Sequence, residues 1–160
     1  MGSARSDDRS IVALDVGQVR VGIAAWDARR GIRDEAALRR VSLAEDVRRL
    51  AAIARERRAK LVLVGLPLNA DGSAGPQARL TLRFVRALDA ALEDANIPVE
   101  TMDETDTSTE AANELGLGHR PLSERERAAV DSRAAAILLR RYLDARPPAA
   151  VPPLLSTQKE

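Results

Sequence analysis

The sequence contains no cysteine and very few aromatic residues, and each of these absences excludes a class of protein. Without cysteine there is no disulfide framework, no thiolate metal site and no cysteine nucleophile. Aromatic residues make up 2% of the 160 residues, which argues against modules that stack nucleic-acid bases on aromatic platforms. The single histidine, His119, lies in a glycine-containing loop segment, and a lone loop histidine gives no support to a serine–histidine triad.

The sequence also lacks a marked excess of charge of either sign and any long hydrophobic run. A formal net charge of +1 provides no broad attraction for a polyanion. No segment is apolar over a sufficient length to span a bilayer, and no secretory leader precedes the first apolar segment. These features predict a cytoplasmic protein that makes no contact with membranes.

The positive charges are nevertheless clustered, and nearly all of them are arginine. They form two neighbouring groups, namely Arg29, Arg30, Arg33, Arg39 and Arg40, followed by Arg48, Arg49, Arg55, Arg57, Arg58 and Lys60. Arginine is common on the solvated faces of helices and strands, and its guanidinium group also suits contacts with phosphate. The sequence leaves both interpretations open.

Length and composition predict one folded domain between two polar ends. A chain of 160 residues supports a single core, and 45% of them are hydrophobic. Residues 1–9 are polar and charged, which predicts a flexible lead-in. Residues 146–160 contain four prolines, which prevent a regular continuation of the preceding helix and predict an extended tail. The folded domain is therefore expected to span residues 10–145.

The first half of the domain predicts a sheet that begins with a hairpin. The apolar run 11–16 is typical of a strand buried on both faces, and the alternation over 19–24 predicts a second strand, antiparallel to the first. A third strand is expected after Gly31, although its propensity is weak. Ser42–Glu45 is a capping box that opens a helix, and the apolar segment 60–67 predicts a further buried strand.

The second half alternates helices and a strand. A helix running to about Asn96 precedes a short strand, 98–102. A second capping box, Thr107–Glu110, predicts a short helix, and a third, Ser123–Glu126, opens the last helix. The order βββαβαβαα predicts an α/β fold. Right-handed crossovers make the later strands parallel to the first and place helices on both faces of a mixed sheet.

Three acidic residues stand out by their positions. Asp15 lies at the carboxyl end of the first strand and Glu104 just past that of the last, so both face the crevice where ligands of open α/β sheets collect. Asp131 lies on the apolar stripe of the last helix, together with Ala135 and Leu138. Since an unpaired buried carboxylate is costly, Asp131 requires a compensating partner. Alone it favours a salt bridge to an arginine; with Asp15 and Glu104 it favours a shared metal site.

The type of ligand in this set indicates which metal it would bind. Carboxylates without histidine or cysteine are hard oxygen donors, which favour Mg²⁺ or Mn²⁺ over Zn²⁺. A carboxylate cluster that holds two divalent ions about 3.5–4 Å apart is a standard device for phosphodiester hydrolysis. We therefore predict that Asp15, Glu104 and Asp131 bind two Mg²⁺ or Mn²⁺ ions and form the catalytic site of a nuclease.

Four segments carry a resemblance to a known family. They read LDVGQVRVGIA, VLVGLPLNADGSAGPQA, DETDTSTEA and AAVDSRAAAILLRRYL, and together they span roughly residues 10–145. In residues, order and spacing they resemble the YqgF/RuvX-type nucleases, which are Holliday-junction-resolvase-like members of the RNase H-like superfamily. The second segment is the most distinctive, because its Pro-Leu-Asn, Asp-Gly-Ser and Gly-Pro-Gln-Ala elements rarely follow a strand by chance.

The resemblance implies a fold, a site and two kinds of substrate. It implies an RNase H-like fold with a five-stranded mixed sheet, in which the acids matching Asp15, Glu104 and Asp131 form the metal-binding active site. Family members are assigned to maturation of the 5′ end of 16S ribosomal RNA, and some to the resolution of branched DNA. Arg20 matches the arginine of the family pattern D-x-G-x-x-R-x-G and could contact substrate phosphate; otherwise it is an exposed strand cation.

Further candidate substrate contacts lie in the PLNADGSAGPQ loop and the last helix. The backbone N–H groups of the loop, with Asn69 and Ser73, could position a phosphate, or its turn residues could serve only to start a helix. Arg127 stands where the family often has a lysine, which keeps the charge but not the geometry. Thr105 and Asp106 stand where the family has an arginine and an apolar residue, so a fixed cation beside the site is lost.

This departure motivates a second hypothesis, a nucleic-acid-binding or ribosome-associated protein with little or no catalysis. A third candidate, a sugar-kinase-like or actin-like phosphotransferase, shares the strand–Asp-x-Gly–hairpin opening, but it needs two such lobes and 160 residues supply one. Structured RNA and branched DNA offer the same phosphodiester group, so the sequence does not distinguish them as substrates. A junction resolvase would need a homodimer to make paired cuts.

Overall fold

The strands and helices follow one another in the predicted order. Within residues 9–118 and 120–145, which the computed structural model describes, the strands are β1 (Ser10–Val16), β2 (Arg20–Asp27), β3 (Gly31–Arg39), β4 (Leu61–Leu66) and β5 (Val99–Asp103). The helices are α1 (Leu43–Glu56), α2 (Pro76–Leu92), α3 (Thr107–Glu114) and α4 (Glu124–Ala145). The predicted lead-in, apart from Arg9, and the predicted proline-rich tail lie outside the described residues, as does His119.

The five strands in this part of the chain form one mixed sheet with the order β3-β2-β1-β4-β5. β2 pairs antiparallel with both β1 and β3, whereas β4 pairs parallel with both β1 and β5. Short turns produce the antiparallel pairs, and helical crossovers produce the parallel ones. The predicted α/β fold with a five-stranded mixed sheet is confirmed, and β1, which carries Asp15, is its central strand.

Helices cover both faces of the sheet, as predicted. On one face, Val12 of β1 joins Leu50 of α1 and Phe84 of α2 in the larger hydrophobic core. On the other face, Ala13 of β1 packs in a second cluster with Leu138 of α4. Successive strand residues point to opposite faces, so consecutive residues of β1 enter different cores. The central strand is therefore buried on both sides, which explains its near-continuous apolar sequence.

α3 is a short helix that is attached mainly to α4. Its buried residues are Thr107 and Ala111, and Ala111 packs in a small apolar cluster with α4. Ion pairs complete the attachment: Arg133 and Arg140 of α4 with Glu114, and Arg141 of α4 with Glu110. α3 is therefore held by a small apolar cluster together with ion pairs that are partly exposed to solvent.

The predicted helix starts are confirmed at two of three positions. The hydroxyl groups of Ser42 and Ser123 each accept a hydrogen bond of 3.1 Å from the backbone N–H three residues on. The capping box predicted at Thr107 is wrong. Asp106 precedes α3 in a left-handed conformation, with φ of 58° and no side-chain capping bond. Thr107 is buried, and its side chain hydrogen-bonds to the half-buried acid Glu104 instead.

β3 is longer than its sequence suggests. It spans nine residues, Gly31–Arg39, although its propensity for a strand is weak. Pairing with β2 and packing of α4 across it hold the segment extended, since tertiary contacts outweigh intrinsic strand preference. The pairing contains a bulge: Ala36 and Ala37 of β3 stand opposite Gly22 of β2.

The helices are amphipathic, and charged side chains recur along them. α4, with 22 residues, is the longest of those described, and its sequence contains nine charged residues from Glu124 to Asp144. Among the helices of residues 9–118 and 120–145, none has the combination of length and apolar composition that a membrane span requires.

Candidate active site

Asp15 lies near the carboxyl end of β1 between two glycines. Gly22 is its register partner on β2, and Gly65 on β4 follows the register partner of Leu14. Because side chains alternate along a strand, Asp15 points to the same face as Ala13, which α4 covers. Neither neighbouring strand places a side chain beside the carboxylate at these two positions. Groups from other elements can therefore approach it closely.

Glu104 reaches the space next to Asp15 from the end of β5. Its backbone N–H donates a hydrogen bond of 3.1 Å to the carbonyl of Leu66 on β4. Its carboxyl group lies directly over Gly65, since a Cβ atom at that glycine would be 2.9 Å from both Cδ and Oε2 of Glu104. The Glu104 side chain hydrogen-bonds to the side chains of Asp15 and Thr107. The structure thus brings two of the three predicted acids together.

The electrostatics of the Asp15–Glu104 pair are dominated by burial. Burial raises the pKa of the Asp15 carboxyl above its ordinary value, and the hydrogen bond with Glu104 partly opposes the rise. Burial, reinforced by the hydrogen bond and the charge of Asp15, raises the pKa of Glu104 to about 10. Two carboxylates within hydrogen-bonding distance resist being charged together. At neutral pH Glu104 is therefore the acid of the pair that retains its proton.

Asp131 approaches Asp15 from α4. Its backbone packs so closely against Gly22 that a Cβ atom there would lie 1.9 Å from the Asp131 carbonyl oxygen. Its carboxylate Oδ2 accepts a hydrogen bond of 2.8 Å from Nε of Arg20. Burial raises the pKa of Asp131, the bond from Arg20 lowers it in part, and the charge of Asp15 raises it further. Asp131 thus interacts with Asp15 through space, while its direct partner is an arginine.

Arg20 is held by two acids. Besides its bond to Asp131, its Nη1 donates to Oε1 of Glu124 at 2.8 Å, and its side chain is 13% exposed. Arg39, the register partner of Arg20 on β3, donates to the same Glu124 oxygen at 3.0 Å. A contact between Arg20 and substrate phosphate stays a prediction, and it requires Arg20 to share or release one of these acids.

A divalent cation fits the Asp15–Glu104 pair. Both side chains are hard oxygen donors, and a divalent cation would replace their shared proton and compensate their charge. Among the described residues, no group of three or more acidic or histidine side chains is arranged to hold a metal ion. Since Oδ2 of Asp131 is bonded to Arg20, Asp131 would become a third ligand through its other oxygen or by giving up that bond. The three-acid site therefore stays a prediction, and the two-acid pair is what the structure assembles.

Asn69 and Ser73 bond chiefly within their own loop. Nδ2 of Asn69 donates to Oγ of Ser73 at 3.0 Å, and the Asn69 backbone N–H donates to the Ser73 carbonyl at 2.9 Å. The N–H and hydroxyl of Ser73 both donate to Oδ1 of Asp71. Gly75 occupies the N-cap of α2 without a side-chain capping bond. These bonds shape the loop at the carboxyl end of β4, and its role in substrate positioning stays a prediction.

Arg127 and the segment after Glu104 complete the predicted set. Arg127 lies exposed on the first turn of α4, and its guanidinium makes no hydrogen bond or ion pair with the residues that the structure describes. It is therefore available for the predicted contact with substrate.

The segment after Glu104 is held by two hydrogen bonds of Thr105. The hydroxyl of Thr105 donates to Asp103, and its carbonyl accepts a hydrogen bond of 2.8 Å from Arg141. An arginine of α4 thus anchors the segment in which the family's own arginine is missing.

Three residues of the site have no counterpart among the sequence predictions. Thr107 bonds to Glu104, Glu124 bonds to Arg20, and Gly65 lies beneath Glu104. A glycine inside a buried strand signals a close approach by another group, so Gly65 was detectable in VLVGLP. Thr107 and Glu124 gave no such signal, because each falls in a segment that reads as a helix cap.

Replacing Gly65 by alanine should reduce activity much more than stability. The added Cβ would force the Glu104 carboxyl to move away from Asp15, and a displacement of about 1 Å at a reacting group can cost roughly 10²-fold in rate. Alanine is also preferred over glycine within a strand by about 0.5–1 kcal/mol, which offsets part of the strain. We expect kcat to fall about 10²-fold and the free energy of unfolding to change by about 1 kcal/mol or less.

The same substitution in a Glu104→Gln background provides the control. If Gly65→Ala acts through Glu104, it should lower the residual activity of Glu104→Gln by less than about twofold, because coupled sites are not additive. If the fold reductions in activity of the two single variants multiply in the double variant, Gly65 affects the enzyme by a route other than Glu104.

Comparison with known proteins places the chain among close relatives. A family model described as RuvX, Holliday junction resolvase, matches residues 9–145. A protein of Synechococcus sp. (strain JA-3-3Ab) named "Putative pre-16S rRNA nuclease" is 40% identical over 145 residues, which is 90% of this chain and 89% of the relative. A protein of the same name from Anaeromyxobacter sp. (strain K) is 42% identical over 139 residues, which is 86% of this chain and 98% of the relative.

The fold also resembles that of solved resolvases. Thermus thermophilus RuvC, solved in complex with a Holliday junction substrate, aligns with a TM-score of 0.55 at 14% identity, over 86% of this chain and 96% of RuvC. A likeness at that level of identity establishes the fold alone. It confirms the predicted RNase H-like architecture of the sheet and its flanking helices.

Proposed function

The chain belongs to the RuvX family of Holliday junction resolvases, and on that premise we propose that it is a divalent-metal-dependent endonuclease acting on structured nucleic acid. The observation that carries the proposal is the half-buried pair of Asp15 and Glu104 at the carboxyl ends of the parallel strands, with Asp131 close by. Strongly perturbed carboxylates that face one another at this edge of an α/β sheet are typical of a functional site.

In this proposal the three acids bind the metal. Asp15, Glu104 and Asp131 would hold Mg²⁺ or Mn²⁺, as one ion or two. A bound ion would supply Lewis-acid stabilisation of charge on the scissile phosphate and would acidify a water molecule. Asp15 and Glu104 would hold it once the pair has lost its proton, and Asp131 would hold it through the oxygen that is not bonded to Arg20. The guanidinium of Arg20, held by Asp131 and Glu124, would place a positive charge beside the site for contact with substrate phosphate.

Structured RNA and four-way DNA junctions are the substrates to compare. The two relatives named above carry the name of a pre-16S rRNA nuclease, whereas the family description names the Holliday junction. Resolution of a junction by paired cuts requires two active sites, so the DNA branch of the proposal also requires a homodimer. Cleavage of an RNA precursor requires one site and places no such demand on assembly.

Binding without cleavage is the second candidate function. One observation favours it: the carboxylate of Asp131 is bonded to Arg20, and the described residues do not present three free acids to a metal ion. The exposed Arg127 and the arginines along α1 and α2 could still contact nucleic-acid phosphates. In that case the acids would serve the structure of the site, and the protein would bind structured nucleic acid without turnover.

A cleavage panel tests the proposed function. Structured RNA, single-stranded RNA and a four-way DNA junction are each incubated with the protein in Mg²⁺, in Mn²⁺ and in EDTA. We expect cleavage of structured RNA or of the junction in at least one metal, with complete loss in EDTA. Fluorescence anisotropy measures binding of the same substrates in parallel.

The outcomes of the panel separate the two functions. Cleavage that persists in EDTA would contradict a metal-dependent mechanism. Specific binding of a structured substrate without cleavage in either metal would establish the second function. If the junction is cut, light scattering should find a dimer, and a monomer would restrict the proposal to RNA.

A further inference from the structure

Arg40 connects the end of β3 to the turn between β1 and β2. Its backbone N–H donates a hydrogen bond of 2.9 Å to the carbonyl of Val19. Its Nη1 donates another of 2.9 Å to the carbonyl of Gly17. The turn is closed internally by a bond of 2.9 Å from the N–H of Gly17 to the carbonyl of Arg20. The carbonyls of Gly17 and Val19 in this turn are therefore both bonded by Arg40.

The guanidinium of Arg40 is itself fixed from two other directions. Its Nε donates to Oδ2 of Asp46 on α1 at 2.9 Å, and the other oxygen of Asp46 accepts a bond of 2.9 Å from the N–H of Val41. Asp46 is fully buried, with 0% exposure. The Arg40 guanidinium carbon also lies 5.4 Å from the ring centroid of Phe84 on α2, in cation–π geometry. One side chain thus joins β3, α1, α2 and the turn.

The turn that Arg40 fixes carries two residues of the candidate site. Asp15 precedes Gly17 by two residues, and Arg20 follows the turn directly. A shift of the turn would move the Asp15 carboxyl relative to Glu104, which approaches from a different strand. We propose that Arg40, anchored by Asp46, is a positioning residue that sets the location of Asp15 and Arg20 for catalysis. This inference rests on the proposed function, because the residues positioned are those of the nuclease site.

An arginine is needed here because the bonds leave the side chain in different directions. The planar guanidinium donates through Nε to Asp46 and through Nη1 to Gly17 while its face meets Phe84. A lysine in its place would keep a positive charge for Asp46. It could not bond to Asp46 and Gly17 from a fixed fork. Charge pairing and turn positioning can therefore be separated by one substitution.

Arg40→Lys is the central variant of the test. We expect it to retain a melting temperature close to wild type, because the buried carboxylate keeps a cation. We expect kcat on the substrate identified by the cleavage panel to fall about 10-fold to 100-fold, with KM changed by less than about threefold. Hydrogen exchange of the amides in residues 16–20 should be at least about tenfold faster.

Two further variants complete the design. Arg40→Met combined with Asp46→Asn removes the pair without leaving a buried carboxylate unpaired, and it should show the same kcat and exchange effects. Arg57→Lys is the matched control, because Arg57 forms a forked ion pair with Glu35 at the other end of α1. The control should leave kcat and the exchange of residues 16–20 unchanged.

The outcomes distinguish positioning from a purely structural role. Arg40 does not position the turn if Arg40→Lys keeps both the kcat and the stability of wild type. The same conclusion follows if the hydrogen exchange of residues 16–20 does not change. If wild-type protein cleaves nothing, the proposed function fails, and unchanged exchange would then overturn the positioning role independently. Faster exchange with normal kcat would show that the turn's order is irrelevant to catalysis and would also overturn it.

Discussion

Asp15→Asn is expected to abolish cleavage in both Mg²⁺ and Mn²⁺ while the fold stays intact. Asparagine keeps the volume and one oxygen of the side chain but removes the charge that would hold a divalent cation. When catalytic groups act as one unit, removing a single member costs nearly the whole rate enhancement of that unit. We therefore expect kcat to fall by at least about 10³-fold. Single-turnover cleavage of the best substrate from the panel measures the loss.

The same substitution should not lower stability at neutral pH. The folded-state pKa of Asp15 is raised by burial, so the native state holds its proton more tightly than the unfolded chain does. Stability from such a group is present below the unfolded pKa and is lost as the pH rises through the folded value. Above the folded-state pKa the desolvated charge of Asp15 opposes folding, and a neutral amide removes that opposition. We expect a melting temperature equal to or above that of wild type.

Two controls make the Asp15 result specific. Asp89→Asn removes an exposed carboxylate near the far end of α2, and it should leave kcat within about twofold of wild type. Asp15→Asn combined with Glu104→Gln should be no slower than the worse single variant, since groups that act as a unit are not additive. Cleavage by Asp15→Asn at more than a few per cent of the wild-type rate would rule out Asp15 as a ligand.

Gly22→Ala should cause the largest loss of stability among the substitutions considered. The added Cβ would lie 1.9 Å from the carbonyl oxygen of Asp131, 2.1 Å from its carbonyl carbon and 2.7 Å from the N of Ser132. These are backbone atoms of α4, so no side-chain rotation relieves the overlap and the helix itself must move. Overpacking of this kind typically costs 1–3 kcal/mol and sometimes more; we expect about 3 kcal/mol or more, measured by urea denaturation.

The loss has a second component that follows from the same contact. The hydroxyl of Ser132 accepts a hydrogen bond of 3.2 Å from the N–H of Ile23, next to the bulge in β3. If α4 moves outward, this bond breaks and Asp131 leaves the vicinity of Asp15. Activity should therefore be lost even at temperatures where the Gly22→Ala variant remains folded.

Gly116→Ala separates this effect from the ordinary cost of replacing a glycine. Gly116 has φ of +70° with open space around it, so alanine there should cost about 1–2 kcal/mol through backbone strain alone. It should also leave cleavage unaffected. A Gly22→Ala variant as stable as Gly116→Ala would mean that α4 does not pack on β2 as closely as described.

The architecture was largely predictable from local patterns, because each pattern has a single physical cause. The apolar side chains of residues 11–16 point to both faces of the strand, so they avoid water only if both faces are buried. The same holds for residues 61–64. Serine hydroxyls at 42 and 123 identified two helix starts correctly. Thr107 failed as a cap because the pattern has no information about Glu104, an acid outside the helix that competes for the same hydroxyl.

The site was predictable only in part, because its contacts join distant segments. The positions of Asp15 and Glu104 at strand ends are enough to predict that they lie close together. Nothing in the sequence shows that Asp131 bonds to Arg20. The neighbours Arg39 and Arg40 illustrate the limit. Both fall in one arginine-rich stretch, yet Arg39 is exposed and pairs with Glu124, whereas Arg40 is bound to a buried aspartate. Which of two adjacent arginines turns inward depends on α1, and no local pattern encodes that.

The ionic attachment of α3 has a consequence for how the site could come apart. α3 has eight residues and buries only Thr107 and Ala111, whereas β1 and α4 belong to the main cores. Elements with little buried apolar area open locally at a lower free energy than the whole domain. The Glu104 side chain bonds to Thr107 of α3, so local opening of α3 would remove one of the contacts that hold this carboxyl group. High salt and mild heating would thus favour opening of α3 and separation of Glu104 from Asp15, while Asp15 and Asp131 remain in a folded core.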